Sequence, residues 1–228
     1  DFSTAVKVMS RILNVRGTVL PTTNDIATLN AVLSDGEIIR GESSITKAGG
    51  VIDHVYITPS RVKPNEDVLK AMEEADYIIM GPGSLYTSII PNLVISKVSE
   101  KIRESNAKKI YVCNVMTQHG ETDNYSVCDH ILAINKHVEE NIFDLVIANS
   151  REFDDSILSK YHKEKQEPVK IDQEKIKELG IKLIKNNDVG IVDNNTIRHN
   201  ADKVSELIYD YIIDDKPTMI YNKRWENK

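Results

Sequence analysis

After the Gly49-Gly50 break, short apolar runs alternate with stretches whose apolar residues recur every three or four positions, and this alternation constrains the fold more than any other feature. The runs lie at 54–58, 77–80, 110–115, 145–148 and 182–185 and are rich in Ile, Val, Leu and Tyr, as buried strands are. Between or after them come helical stripes: Leu69, Met72 and Ala75; Val94, Val98 and Ile102; Val127, Ile131, Ile134 and Val138; and Val204, Leu207, Ile208 and Tyr211. Strands joined by helices must run parallel, with helices covering both faces of the sheet. The expected class is therefore α/β, Rossmann-like and doubly wound, with a mainly parallel sheet.

The earlier residues break this rhythm. Phe2, Val6, Met9 and Leu13 form one helical stripe that stops at Arg16-Gly17, which predicts a helix packed on a sheet. Residues 18–20 read as a short β-branched strand. Residues 27–33 alternate loosely, and Ser34-Asp35-Gly36 turns them into a second strand over 37–45, an antiparallel hairpin excursion. Residues 1–213 are expected to form a single domain that opens in mid-fold, followed by a polar tail over 214–228 with the sole tryptophan, Trp225.

Composition narrows the function classes. With 228 residues, 40% of them hydrophobic, the chain can bury a full-sized core. A formal net charge of −6 with scattered Lys and Arg argues against a nucleic-acid partner. No apolar run reaches the length of a membrane span and no leader pattern opens the chain, so a cytoplasmic protein is expected. Cys113 and Cys128 read as reduced thiols, and without clustered histidines they make no zinc site; no metal ligands are assigned.

In parallel sheets ligands gather outside the carboxyl ends of the strands, where strand order reverses. Two strand-to-helix loops, 81–88 and 114–123, are the candidates. In the first, Gly81 and Gly83 lack Cβ and allow close backbone approach and positive φ, while Ser84, Thr87 and Ser88 add neutral donors, a composition suited to phosphate. A Gly-Pro turn with ordinary capping explains the glycines but not that cluster of hydroxyls. In the second, Asn114 and Gln118 offer amides, Gly120 permits a turn, and Thr122 or Asp123 caps the next helix. His119 and Glu121 read as solvated loop residues, and His130, beside an apolar stripe, as a structural hydrogen-bonder. No nucleophile, base or carboxylate pair stands at catalytic spacing, and the catalytic residues stay unassigned.

The run Gly81-Pro-Gly-Ser-Leu-Tyr-Thr-Ser-Ile-Ile-Pro-Asn-Leu93, followed by Val112-Cys-Asn-Val-Met-Thr-Gln-His-Gly-Glu-Thr122, resembles the gluconeogenesis factor family, YvcK/CofD-like. The resemblance extends through Asn14-Val-Arg-Gly-Thr-Val-Leu-Pro-Thr22, Lys47-Ala-Gly-Gly50, residues 125–137 and Ile197-Arg-His199. Family members begin with a Gly-Gly-Gly-Thr-Gly loop on a first strand, which does not occur here, and usually carry Pro where His119 stands. Two activities are implied. One branch binds nucleotide sugars such as UDP-N-acetylglucosamine and regulates cell shape and wall synthesis during gluconeogenic growth, with no cofactor required. The other transfers 2-phospho-L-lactate to a deazaflavin precursor with Mg2+. Residues 116–122 and the Tyr161 segment resemble the regulatory branch more closely. On that resemblance Gly81, Gly83, Ser84, Thr87 and Ser88 would take a diphosphate, and Asn114, Thr117 and Gln118 would face the sugar or acyl group. Asn24 would reach the same crevice, Tyr161 would stack on the base, and Arg198 would pair with phosphate. The implied partners are a nucleotide diphosphate ligand, a homodimer mate and a downstream protein the sequence does not name.

Overall fold

The computed structural model describes residues 2–12 and 16–215; Leu13 of the first stripe and most of the expected tail, Trp225 included, lie outside the described residues. The chain runs α1 (Phe2–Ile12), β1 (Thr28–Leu33), β2 (Ile38–Arg40), α2 (Glu42–Ala48), β3 (Ile52–Thr58), α3 (Glu66–Glu74) and β4 (Tyr77–Met80). A π turn (Leu85–Ile89) leads into α4 (Ile90–Leu93), α5 (Val98–Glu104), β5 (Lys108–Val112), α6 (Val127–Val138) and β6 (Leu145–Asn149). Then follow α7 (Asp155–Lys163), α8 (Gln173–Glu178), β7 (Lys182–Asn186), β8 (Gly190–Asp193), β9 (Thr196–His199) and α9 (Ala201–Asp215).

The fold is α/β, centred on a four-stranded parallel sheet in the order β4-β5-β6-β7. The apolar runs of β5 and β6 are continuous because both faces are buried. Tyr111, Val146 and Ala148 pack toward the side holding Leu69 of α3, Ile102 of α5, Ile131 and Ile134 of α6 and Ile176 of α8. Their neighbours Ile110, Val112, Leu145 and Ile147 pack toward Val204 and Tyr211 of α9. The strands stand in sequence order. Among the described residues the site is therefore placed by strand carboxyl ends, not by a reversal of order.

The run at 54–58 belongs elsewhere. As β3 it pairs antiparallel with β1 in a separate three-stranded sheet, β2-β1-β3. The reason lies in its alternation: Ile52, Val55 and Ile57 are buried while Asp53 and Thr58 are exposed, the pattern of a one-sided antiparallel sheet. The strand expected over 37–45 stops at Arg40, because Gly41 takes φ 88 and residues from Glu42 onward coil into α2. Residues 18–20 form no strand. α1 is helical as its periodicity predicts, yet Phe2, Val8, Met9 and Ile12 are exposed, so its stripe does not pack on a sheet among the described residues. Val94 follows α4, and α5 starts only at Val98.

The β8–β9 hairpin went unread in the sequence. Its signal is the pair Asn194 and Asn195, both at positive φ (46 and 59), as a two-residue hairpin turn matched to strand twist requires.

Candidate functional site

β4 and β5 are parallel neighbours, with Met80 opposite Tyr111, so the loops that leave them start side by side at one end of the sheet. Gly81 turns the first loop at φ 84, and a Cβ there would lie 2.7 Å from the Val112 carbonyl oxygen. Glycine is required at that point by both backbone angle and space. Gly83 shows no positive φ, and its Cβ position meets only ordinary contacts, the nearest at 3.4 Å; of the two glycines only Gly81 uses the left-handed region. From Ser84 the chain enters the π turn, where Ser88 N and Ile89 N both donate to the Ser84 carbonyl at 2.9 and 3.0 Å. Such turns widen the backbone spacing and recur at functional sites.

The second loop is braced internally. Thr122 Oγ1 accepts from Gln118 N at 2.9 Å, and Gln118 O accepts from the Glu121 and Thr122 amides. Asp123 accepts from Gly120 N at 2.7 Å and holds His119 Nδ1 at 2.8 Å. Gly120 sits at φ 83 where a Cβ would run into the Thr46 carbonyl, which fixes the loop against the end of α2. Thr122 and Asp123 brace this loop, while α6 is capped by Ser126 in a reciprocal box with Asp129.

Two contacts join the loops. Gln118 Nε2 donates to Ser84 Oγ at 2.9 Å. Glu121, read from sequence as a solvated residue, is only 4% exposed; its carboxylate accepts from Tyr86 N at 3.2 Å and from Thr87 Oγ1 at 2.9 Å. Burial pushes the Glu121 carboxyl above its ordinary range, against the opposing effect of those two donors and of the Thr87 amide. Behind them Tyr86 and Tyr125 share a hydroxyl–hydroxyl bond of 2.8 Å, and Tyr86 is itself 2% exposed. Glu121 and the tyrosine pair are the parts of the site that sequence reasoning missed.

The candidate residues divide by how their polar groups are used. Gly81, Gly83, Ser84, Ser88, Asn114 and Gln118 lie at the shared strand ends. The side-chain oxygens of Asn114 and Gln118 are buried with no hydrogen-bond partner among the described residues. Thr87 and Thr117 are committed within the protein. Thr87 donates to Glu121, and Thr117 exchanges bonds with the Glu167 backbone, donating through its amide and accepting through its hydroxyl at 2.7 and 2.9 Å. Asn24 Oδ1 accepts from both Ser3 N and Ser3 Oγ, so its carbonyl serves the start of α1.

Tyr161 and Arg198 both belong to the surroundings of β9, away from the contacts that join the two loops. Tyr161 is 8% exposed in a cluster with Val115, Met116, Phe153, Ile157 and Ile197, and its hydroxyl accepts from Ile197 N at 2.7 Å. His199 Nε2 bonds to the Cys113 carbonyl at 3.0 Å, which moors β9 to the end of β5. Between these anchors Arg198 is exposed, without an ion pair among the described residues.

His130 Nδ1 meets the Ser126 carbonyl at 2.8 Å in a fully buried position, a structural contact. Both cysteines are free and buried, and burial pushes the Cys113 thiol up to about 12. For magnesium, which the transferase reading brings with it, the described residues assemble no ligand set made of protein alone. No group of three His, Cys, Asp or Glu side chains converges among the described residues, and the carboxylates of the second loop are already held by protein donors. No helix among the described residues is long and apolar enough to cross a membrane.

Comparison with known proteins agrees with the fold and gives the family. The family described as 2-phospho-L-lactate transferase CofD matches residues 1–189. A gluconeogenesis factor of Halalkalibacterium halodurans is 46% identical over 208 residues, covering 91% of this chain and 64% of its own length. The gluconeogenesis factor of Bacillus subtilis is 43% identical over 212 residues, covering 93% of this chain and 67% of its own. A crystal structure of a Bacillus halodurans protein superposes with a TM-score of 0.88 at 45% identity, over 92% of this chain and 67% of that one. The chain thus spans about two thirds of the length of these relatives. By the extent of the family match and the identity sustained across nearly all its residues, the chain belongs to the CofD family, alongside the proteins named gluconeogenesis factor.

Proposed function

We propose that the protein is a cytoplasmic gluconeogenesis factor that binds a nucleotide sugar of the UDP-N-acetylglucosamine type and regulates cell shape and wall synthesis during gluconeogenic growth. The observation that carries this reading is the joined pair of loops at the ends of β4 and β5, bridged by Gln118 and Ser84. A diphosphate is met by backbone amides around Gly81 and Gly83 and by the Ser84 hydroxyl, which accepts from Gln118 and keeps its own hydrogen to donate. The amide side chains of Asn114 and Gln118 face the hydroxyl-bearing part of the ligand, where their carbonyl oxygens lack protein partners. Arg198 supplies a cation from the β8–β9 rim, held in place through Tyr161 and His199.

A second reading, transfer of 2-phospho-L-lactate to a deazaflavin precursor, is favoured by the description of the matching family. Against it, the carboxylates nearest the loops are occupied by protein donors, which leaves amides, hydroxyls and one arginine, groups that bind without reacting. The test is calorimetric titration of the full-length protein with UDP-N-acetylglucosamine, followed by phosphorus NMR over several hours with magnesium present. Binding in the micromolar range, about 8 kcal/mol, with the ligand left intact is the expected result. Turnover of the nucleotide, or phospholactate transfer to a deazaflavin acceptor, would overturn it.

A further inference from the structure

We infer that Glu121 is a proton-linked positioning residue: an anionic ligand seated on the 81–84 loop draws a proton onto its carboxylate, and that proton releases the Thr87 hydroxyl toward the ligand. The inference rests on the nucleotide-sugar reading above and adds its regulation by pH. Glu121 lies beneath the first loop at 4% exposure and touches it at two donors, Tyr86 N and Thr87 Oγ1, two and three residues beyond Ser84. No cation among the described residues pairs with it. The groups that face it are the neutral Thr87 hydroxyl and the Tyr86 and Thr87 amides of the π turn and, at longer range, the Glu42 carboxylate at the start of α2. On its own loop Asp123 and His119 are paired with each other. The carboxylate is thus a buried negative charge in a neutral to negative neighbourhood, already biased toward its protonated form by burial.

A diphosphate placed on the same loop adds further negative charge close by, in surroundings that screen poorly, and raises the free energy of ionised Glu121. Uptake of one solvent proton removes that repulsion. The hydrogen-bond arithmetic then changes in a useful direction. Ionised, Glu121 can only accept, so the Thr87 hydroxyl must donate to it. Protonated, Glu121 donates to Thr87 Oγ1 through its new O–H and keeps accepting from Tyr86 N with its other oxygen. The Thr87 hydrogen is freed, and this half-buried side chain turns from a brace into a donor for the ligand.

The diphosphate of a nucleotide sugar is a diester that does not titrate between pH 5 and 8, so any proton taken up belongs to the protein. The full-length protein would be titrated with UDP-N-acetylglucosamine across that range, in buffers of differing ionisation enthalpy, beside Glu121→Gln. Glutamine accepts from Tyr86 N and donates to Thr87 without a charge, and so imitates the protonated state. Wild type should take up protons on binding and lose affinity as pH rises, by as much as about tenfold per unit. Glu121→Gln should take up fewer protons and hold a flatter affinity near the wild-type low-pH value. Equal proton uptake in both proteins would place the linkage on a group other than Glu121 and overturn the inference, as would binding by wild type with no proton uptake, a measurement that needs no variant. Absence of binding at every pH would overturn the nucleotide-sugar reading, and the inference with it.

Discussion

Gly81 and Gly83 stand two residues apart in one loop, and the structure gives them opposite jobs that alanine substitution separates. At Gly81 an alanine meets two obstacles. The left-handed φ of 84 costs a residue with Cβ about 1–2 kcal/mol. The new methyl would also lie 2.7 Å from the Val112 carbonyl oxygen, against 3.4 Å for ordinary contact, and that oxygen belongs to the end of β5 and cannot swing aside like a side chain. Shifting the strand end adds a similar amount, so Gly81→Ala should destabilise by about 2–4 kcal/mol. For a domain of this size that lowers the melting temperature by about 6–12 °C. At Gly83 there is no positive φ and the nearest atom is at 3.4 Å, so alanine should leave stability within about 1 kcal/mol and can raise it by restricting the unfolded chain. If the Gly83 backbone approaches a phosphate, the added methyl should weaken nucleotide-sugar binding about tenfold or more while the melting temperature holds. Thermal unfolding and calorimetry on the two variants decide the matter. Equal melting temperatures for the two variants would refute the geometric argument, and an unchanged affinity in Gly83→Ala would remove that glycine from the ligand.

Tyr161→Phe leaves the Ile197 amide without its acceptor in a buried place and should lower stability by about 1–3 kcal/mol in urea unfolding; an unchanged midpoint would show that the hydroxyl does not hold β9. Arg198→Ala should leave that midpoint unaltered, since the residue is exposed and without an ion pair among the described residues, but weaken diphosphate binding by about 1.5–3 kcal/mol in calorimetry. Burial lowers the pKa values of His130, His137 and His199 below the ordinary 6.5, so the unfolded chain takes up their protons first as pH falls. Their contribution is complete above pH 6.5 and is lost as pH drops from there through the depressed native values, at up to about 1.4 kcal/mol per histidine per pH unit; urea midpoints at pH 5.5 and 7.5 should show the loss, and equal midpoints would contradict it.

How much of this was legible in the sequence depends on how far apart the deciding partners lie. The parallel sheet is written locally: Ile110 to Val112 and Leu145 to Ala148 are continuous apolar runs because neighbouring residues face two buried layers, and such runs are visible in any short window. β3 looked like another such run because His54 and Tyr56 are bulky and partly covered, and only pairing with β1 shows that its sheet is one-sided. The loops were legible as places for the same local reason, as glycine and hydroxyl clusters directly after strands. Their internal division of labour was not. A Thr that binds ligand and a Thr that braces a loop are the same residue after the same glycine, and what separates Thr87 from Ser84 is a carboxylate 34 residues away. Glu121 in turn looked solvated because its flanking residues are polar; it is buried because Gly120 brings the second loop against the backbone of Thr46, a contact between segments far apart in the chain. The residue types that can cradle an anion are also the types that can hold the cradle together, so the partner already engaged, and not the composition, decides which groups remain free for a ligand.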